Sequence, residues 1–240
     1  MIIKPITIKG LSLRAVILQL SESGNLHLQD ILLDDPEPEP NDVVLRVEAC
    51  GFSYHDALLI SGILARGVTL PRVLGHEISG SIVAVGKNLS SDLIGKNVFV
   101  IPNELGHRQN GGFAEFVKVP FSSVVLLTSN SIALKEACLL YSPISVAVKA
   151  VNISNIGEGD FLVITGASGG LGIHAAQVAA TLGIQVIGIT TSGEKLARLQ
   201  SLPYFHSVLL DSDPYEEIIL SNPWVKSFLE LGDTFIVRPD

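Results

Sequence analysis

Four glycines, Gly166, Gly169, Gly170 and Gly172, crowd into the seven residues that follow the apolar run FLVIT. An alanine-rich stretch, IHAAQVAATLG, comes directly after them. In the register Ala167, Ser168, Gly169, Gly170, Leu171, Gly172 the segment is a GxGxxG-like turn with alanine first. Glycines at this spacing let the chain turn tightly, let a pyrophosphate approach the backbone and let the following helix pack closely on the preceding strand. The helix N-terminus adds free N–H groups and partial positive charge. The chemistry of this pattern is dinucleotide binding; a glycine-rich turn without a ligand is the alternative.

The next strand, QVIGIT, ends in Thr190 and Thr191, followed by Ser192 and Gly193. Sites specific for NAD carry an acid about 20 residues past the glycines, where it holds the ribose 2′-hydroxyl. Thr191 stands at that distance from Gly172, and no acid is there to repel a 2′-phosphate. The hydroxyls of Thr191 and Ser192, with Lys195 and secondarily Arg198, could receive one. The expected cofactor is therefore NADPH. Taken alone, Lys195 reads as a solvated helix lysine.

The elements that must position these residues are legible as a change of pattern. Residues 13–20 and 43–49 read as strands, with the proline-rich surface loop DDPEPEPND between them. A short helix is expected over 54–61, and further short strands lie in GHEISGSIVAVGKN, GKNVFVIP and GGFAEFVKVP. Residues 134–151 read as helix interrupted near Pro143. Beyond Gly157 strand and helix alternate: FLVIT is a strand buried on both faces, and QVIGIT, HSVLLD and TFIVRPD are further strands. The segment 213–231 is expected to be helical in parts. The boundary falls near residue 130, giving a β-rich domain over 1–130 and a nucleotide-binding domain over 131–240.

Composition narrows the setting. The chain has 240 residues, 47% hydrophobic content and a net charge of −8 without a basic cluster, which argues against nucleic acid and anionic membranes as partners. Its two cysteines, Cys50 and Cys138, make neither a disulfide framework nor a CxxC zinc motif. No signal peptide is read in MIIKPITIKG, and the apolar stretch 173–190 splits into a helix and a strand. The expectation is a cytoplasmic protein with no membrane partner.

Taken in order, GHEISGSIVAVG, NGGFAEFVKVP and VITGASGGLGIHAAQVAATLG resemble the medium-chain dehydrogenase/reductase superfamily, over residues 13 to about 212. The resemblance implies an α/β protein: a GroES-like β-rich catalytic domain followed by a Rossmann domain, here truncated, with hydride transfer from NAD(P) to a small-molecule substrate. In the zinc alcohol dehydrogenases of that superfamily, Cys, His and Cys hold a catalytic zinc. In this chain Ser53 (within SYHD) and Tyr141 take the two Cys places, and His76 and Glu77 keep the GHE motif. The expected metal is therefore none, and the likeness runs to the zinc-free quinone reductases and acryloyl-CoA reductases.

That resemblance supplies the remaining site residues. Tyr54, two residues before Asp56, fits a tyrosine of the zinc-free branch, and His55 lies where alcohol dehydrogenases place a relay hydroxyl. Tyr54, His55 and His76 are the candidate donors to an enolate or alkoxide. Each has a plainer reading: a packing aromatic, an exposed loop histidine, and a relic hydrogen-bonded to Asp56. Glu77 reads as structural. Ser145 stands where the family contacts the nicotinamide, or is a hydroxyl bonded to its own helix. The sequence supplies about four strands where a full dinucleotide-binding sheet has about six. The leading function is an NADPH-dependent reductase of activated double bonds, quinones or carbonyls. The alternatives are a non-catalytic nucleotide-binding protein and a zinc alcohol dehydrogenase. An incomplete sheet also implies a homo-oligomer.

Overall fold

A computed structural model describes residues 12–64, 67–128, 131–213, 225–230 and 235–237, the last two segments as backbone. The chain divides into two compact units, Met1–Ser142 and Pro143–Asp240.

The first unit is all but wholly β. It comprises β1 (Ser12–Leu20), β2 (Leu26–Asp34), β3 (Asp42–Gly51), α1 (Tyr54–Ile60), β4 (Arg72–Val73), β5 (Glu77–Val85), β6 (Asn97–Val100), β7 (Phe116–Pro120), β8 (Val124–Leu126) and α2 (Leu134–Ala137). One sheet has the order β2-β1-β4 and the other β7-β3-β5-β6-β8. Val43, Leu45, Ile78, Ile82, Val98, Val117 and Val119 alternate inward along their strands and close the core of the larger sheet. The strand β2 is invisible to the sequence reading. It lies at a sheet edge with Leu28 and Leu32 exposed, while Ile31 and Leu33 pack inward, so the apolar run in LHLQDILLD does not read as a clean alternation.

The second unit holds α3 (Ser142–Ser154), β9 (Phe161–Thr165), α4 (Gly170–Thr181), β10 (Gln185–Thr190), α5 (Gly193–Gln200), β11 (Ser207–Leu210), β12 (Val225–Glu230) and β13 (Phe235–Val237). Its sheet runs β11-β10-β9-β12-β13, with β9, β10, β11 and β12 parallel and β13 antiparallel to β12. Apolar β9 and β10 are buried because helices cover them: Leu162, Ile164 and Val186 meet Ala147 and Val151 of α3 and Ala175, Ala176 and Ala179 of α4. The break at Pro143 is present, since α2 stops at Ala137 and Pro143 sits in the first turn of α3. The expected helix in 213–231 is corrected where it is described: residues 225–230 form β12, beside β9. Pairing with the central strand outweighs local helical preference there. Residues 214–224 lie outside the described residues.

No helix among the described residues is long and apolar enough to cross a membrane.

Candidate active site

The glycine turn joins the end of β9 to α4. Gly166 turns with φ +61°, and Gly169 is the N-cap of α4. Having no side chain, that N-cap makes no capping hydrogen bond and leaves the first-turn N–H groups of α4 without a side-chain cap. Gly172 is needed for close approach: a Cβ there would stand 2.6 Å from the Gly166 oxygen and 2.8 Å from the Ala167 Cα. Ala167 is fully buried, and its N–H donates to the Ile189 carbonyl of β10 at 3.1 Å. The buried Thr165 hydroxyl at the strand end has no hydrogen-bond partner among the described residues. This is a cradle a phosphate group fits: donors at a helix N-terminus, with no Cβ in the way.

The end of β10 is tied to the same turn. Thr190 is buried; its hydroxyl donates to the Ser168 hydroxyl at 3.2 Å and accepts the Ser192 N–H at 3.4 Å. Ser192 caps α5, accepting from the Lys195 N–H at 3.4 Å. Thr191 and Lys195 are exposed. Glu194, also exposed, stands in the first turn of α5, where the helix dipole favours an acid. It lies past the strand end, beyond the position where an acid would hold the ribose 2′-hydroxyl. Ser145 is half-buried in the first turns of α3, and Leu171 enters the second-unit core from the glycine turn.

In the first unit, α1 is set by a capping box. The Ser53 hydroxyl accepts from the Asp56 N–H at 3.3 Å and donates to the Asp56 carboxylate at 2.7 Å, and the Ser53 N–H reaches that carboxylate at 2.9 Å. Asp56 is 1% exposed, and its second oxygen accepts the Gly75 N–H at 3.2 Å. The sequence reading paired Asp56 with His76; its partner is instead the backbone one residue earlier. This link holds the start of α1 beside the chain entering β5, and brings His55 to His76 with ring centroids 5.6 Å apart. His107, read from sequence as an uninformative loop residue, lies 6.3 Å from His55 on its other side. All three histidines line a cavity of about 350 Å³ with Leu59, Pro102, Glu104, Leu105 and Gly106. Tyr54, at the first position of α1, is 78% exposed.

Both thiols are free and held protonated. Burial pushes Cys50 far above its usual range, and the Asp56 carboxylate adds to the shift. Burial and then Glu77 raise Cys138. Cys50 pairs across with Ile78, and Cys138, at the end of α2, lies by Ser79, whose hydroxyl donates to Leu134 O of α2 at 2.6 Å.

Residues 39–129 match the alcohol dehydrogenase GroES-like domain. An acryloyl-coenzyme A reductase of Sulfurisphaera tokodaii is 34% identical over 67% of this chain and 54% of its own. A quinone oxidoreductase of Sus scrofa is 31% identical over 66% of this chain and 47% of its own. The chain belongs to the medium-chain dehydrogenase/reductase superfamily. It spans about half the length of these curated relatives. The superfamily fold is also seen in the cobalt- and zinc-bound thermostable alcohol dehydrogenase of Pyrobaculum aerophilum, at TM-score 0.76 and 23% identity, covering 92% of this chain and 70% of that one.

Against the zinc-binding members of the superfamily, the residues present here fit poorly. The Ser53 hydroxyl is spent on Asp56, and an alcohol is a poor zinc ligand beside a thiolate. Among the described residues, no three His, Cys, Asp or Glu side chains are arranged to hold a metal ion.

Proposed function

We propose that this medium-chain dehydrogenase/reductase is an NADPH-dependent reductase of activated double bonds, quinones or carbonyls that works without catalytic zinc. The observation that carries the reading is the uncapped glycine turn at α4, tied through Ser168 to a β10 end that bears hydroxyls and no acid. NADPH, when bound, supplies the hydride. The N–H groups at the start of α4, from Gly170, Leu171 and Gly172, hold the pyrophosphate, with Gly166, Ala167, Ser168 and Gly169 shaping the approach. Thr191, Ser192 and Lys195 receive the 2′-phosphate through charge-assisted hydrogen bonds, and Ser145 contacts the nicotinamide. Tyr54, His55 and His76 serve the acceptor: an N–H or O–H donor holds the oxygen where negative charge develops and supplies the proton that completes the reduction. The protein works in the cytoplasm as a homo-oligomer.

The test is a side-by-side titration of NADPH and NADH, followed by NADPH oxidation with a panel of quinones and enones. NADPH should bind at least tenfold more tightly. Lys195→Ala should weaken NADPH about tenfold, the worth of one charge-assisted bond, and leave NADH unchanged. Glu194→Gln should strengthen NADPH by removing a like charge. Equal affinities for the two cofactors would sink the NADPH assignment. Binding without turnover would favour the non-catalytic reading, and one tightly held zinc per chain by elemental analysis would overturn the zinc-free one.

A further inference from the structure

His107 arrives at the first-unit cavity by backbone packing. The Glu104 carbonyl accepts the N–H groups of His107, Arg108 and Gln109 at 3.1, 2.8 and 3.0 Å, closing a tight turn. The loop then lies along the chain that precedes His76: Gly111 N–H donates to Val73 O, and Gly112 N–H to Gly75 O, both at 2.8 Å. A Cβ on Gly111 would run into the Gly75 carbonyl. On the far side, a Cβ on Gly67 would stand 2.9 Å from Cε1 and Nε2 of His107, so the ring is confined there too.

The three rings share a second property. None of His55, His76 and His107 is hydrogen-bonded to another described residue, whereas His27 meets Gln19 and His174 meets the Gly170 carbonyl. The Nε2 edge of His107 lies beside Gly67, so Nδ1 is the nitrogen left to it for a ligand, with the rings of His55 and His76, on a wall whose other members include Leu59, Pro102 and Leu105. The one cavity-lining carboxylate, Glu104, is paired with Arg108 at 3.2 Å. Each imidazole carries at least one N–H donor in either protonation state. A donor beside apolar side chains interacts more strongly with an oxygen than it would in water.

We propose that His107 is a third substrate-contacting imidazole, and that with His55 and His76 it forms a donor site for the oxygen of a small carbonyl or quinone acceptor. The proposal rests on the reductase reading for its substrate class, and on the cavity for its residues. The experiment follows histidine ring signals of the full chain, ¹⁵N-labelled, by NMR while propionamide, an unreactive carbonyl compound, is added. The signals of His55, His76 and His107 should shift along one saturation curve, while those of His27, His174 and His206 stay. His107→Leu should weaken propionamide about tenfold, near the worth of one hydrogen bond in a partly closed site. Shifts at His55 and His76 without His107, or at none of the three, would overturn the proposal. Shifts at all three in a protein that oxidises no NADPH with any acceptor would uphold this site and sink the reductase reading. Because the ring shifts are read on the unsubstituted protein, the test does not depend on the variant folding.

Discussion

The glycine turn of the second unit and the histidine cavity of the first are built on opposite plans. The turn is one contiguous segment, and its donors are backbone N–H groups at the start of α4. The cavity takes His55 from α1, His76 from the entry to β5 and His107 from a loop some thirty residues further on. A site made of backbone needs only a local sequence that permits the turn. A site made of side chains needs distant segments held in register by something else. Here that is the buried Asp56 carboxylate and the backbone contacts of the glycine-bearing loop.

Removing Asp56 should break the contrast most severely. Asp56→Ala leaves the Ser53 N–H, the Ser53 hydroxyl and the Gly75 N–H without their acceptor. We expect a loss of about 3 kcal/mol in urea unfolding, with the ring signals of His55 and His76 moving apart while the second unit still binds nucleotide. Loss of nucleotide binding in a folded Asp56→Ala protein would show that the two sites are not independent.

Gly172→Val is the matching cut in the other unit. Its side chain would meet the Gly166 carbonyl and the Ala167 backbone, which a rigid turn cannot yield. Nucleotide binding should vanish in a titration, with a stability cost of about 1–3 kcal/mol and unchanged histidine signals from the first unit.

The cysteines sharpen the comparison by a smaller effect. In the unfolded chain a thiol ionises at about 8.5, whereas burial raises Cys138 and, much further, Cys50 in the folded protein. Below that pH both states hold the proton and stability is flat. Above it the unfolded chain releases a proton that the folded chain retains, so stability falls as pH rises. Cys50→Ala should flatten part of this decline in unfolding experiments between pH 8 and pH 10. Neither thiol should react with iodoacetamide at neutral pH until the protein unfolds.

What the sequence determined by itself is the local half of the molecule. FLVIT, the glycines and the alanine-rich helix announce strand, turn and helix because period and glycine spacing are short-range properties. Pro143 reads as a break for the same reason, whereas the capping of α5 by Ser192 emerged only in the structure. The exposed edge strand β2 and the strand β12 escaped, because an edge strand shows little alternation and β12 is settled by pairing with β9. Only the tertiary structure decided that Asp56 answers Gly75 rather than His76, and that His107 joins His55. The two adjacent glycines in NGGF were the one trace of that loop's close approach, and they do not say what it approaches. Contacts between segments far apart in the chain are chosen by sheet register and buried hydrogen bonding, which no short window of residue types encodes.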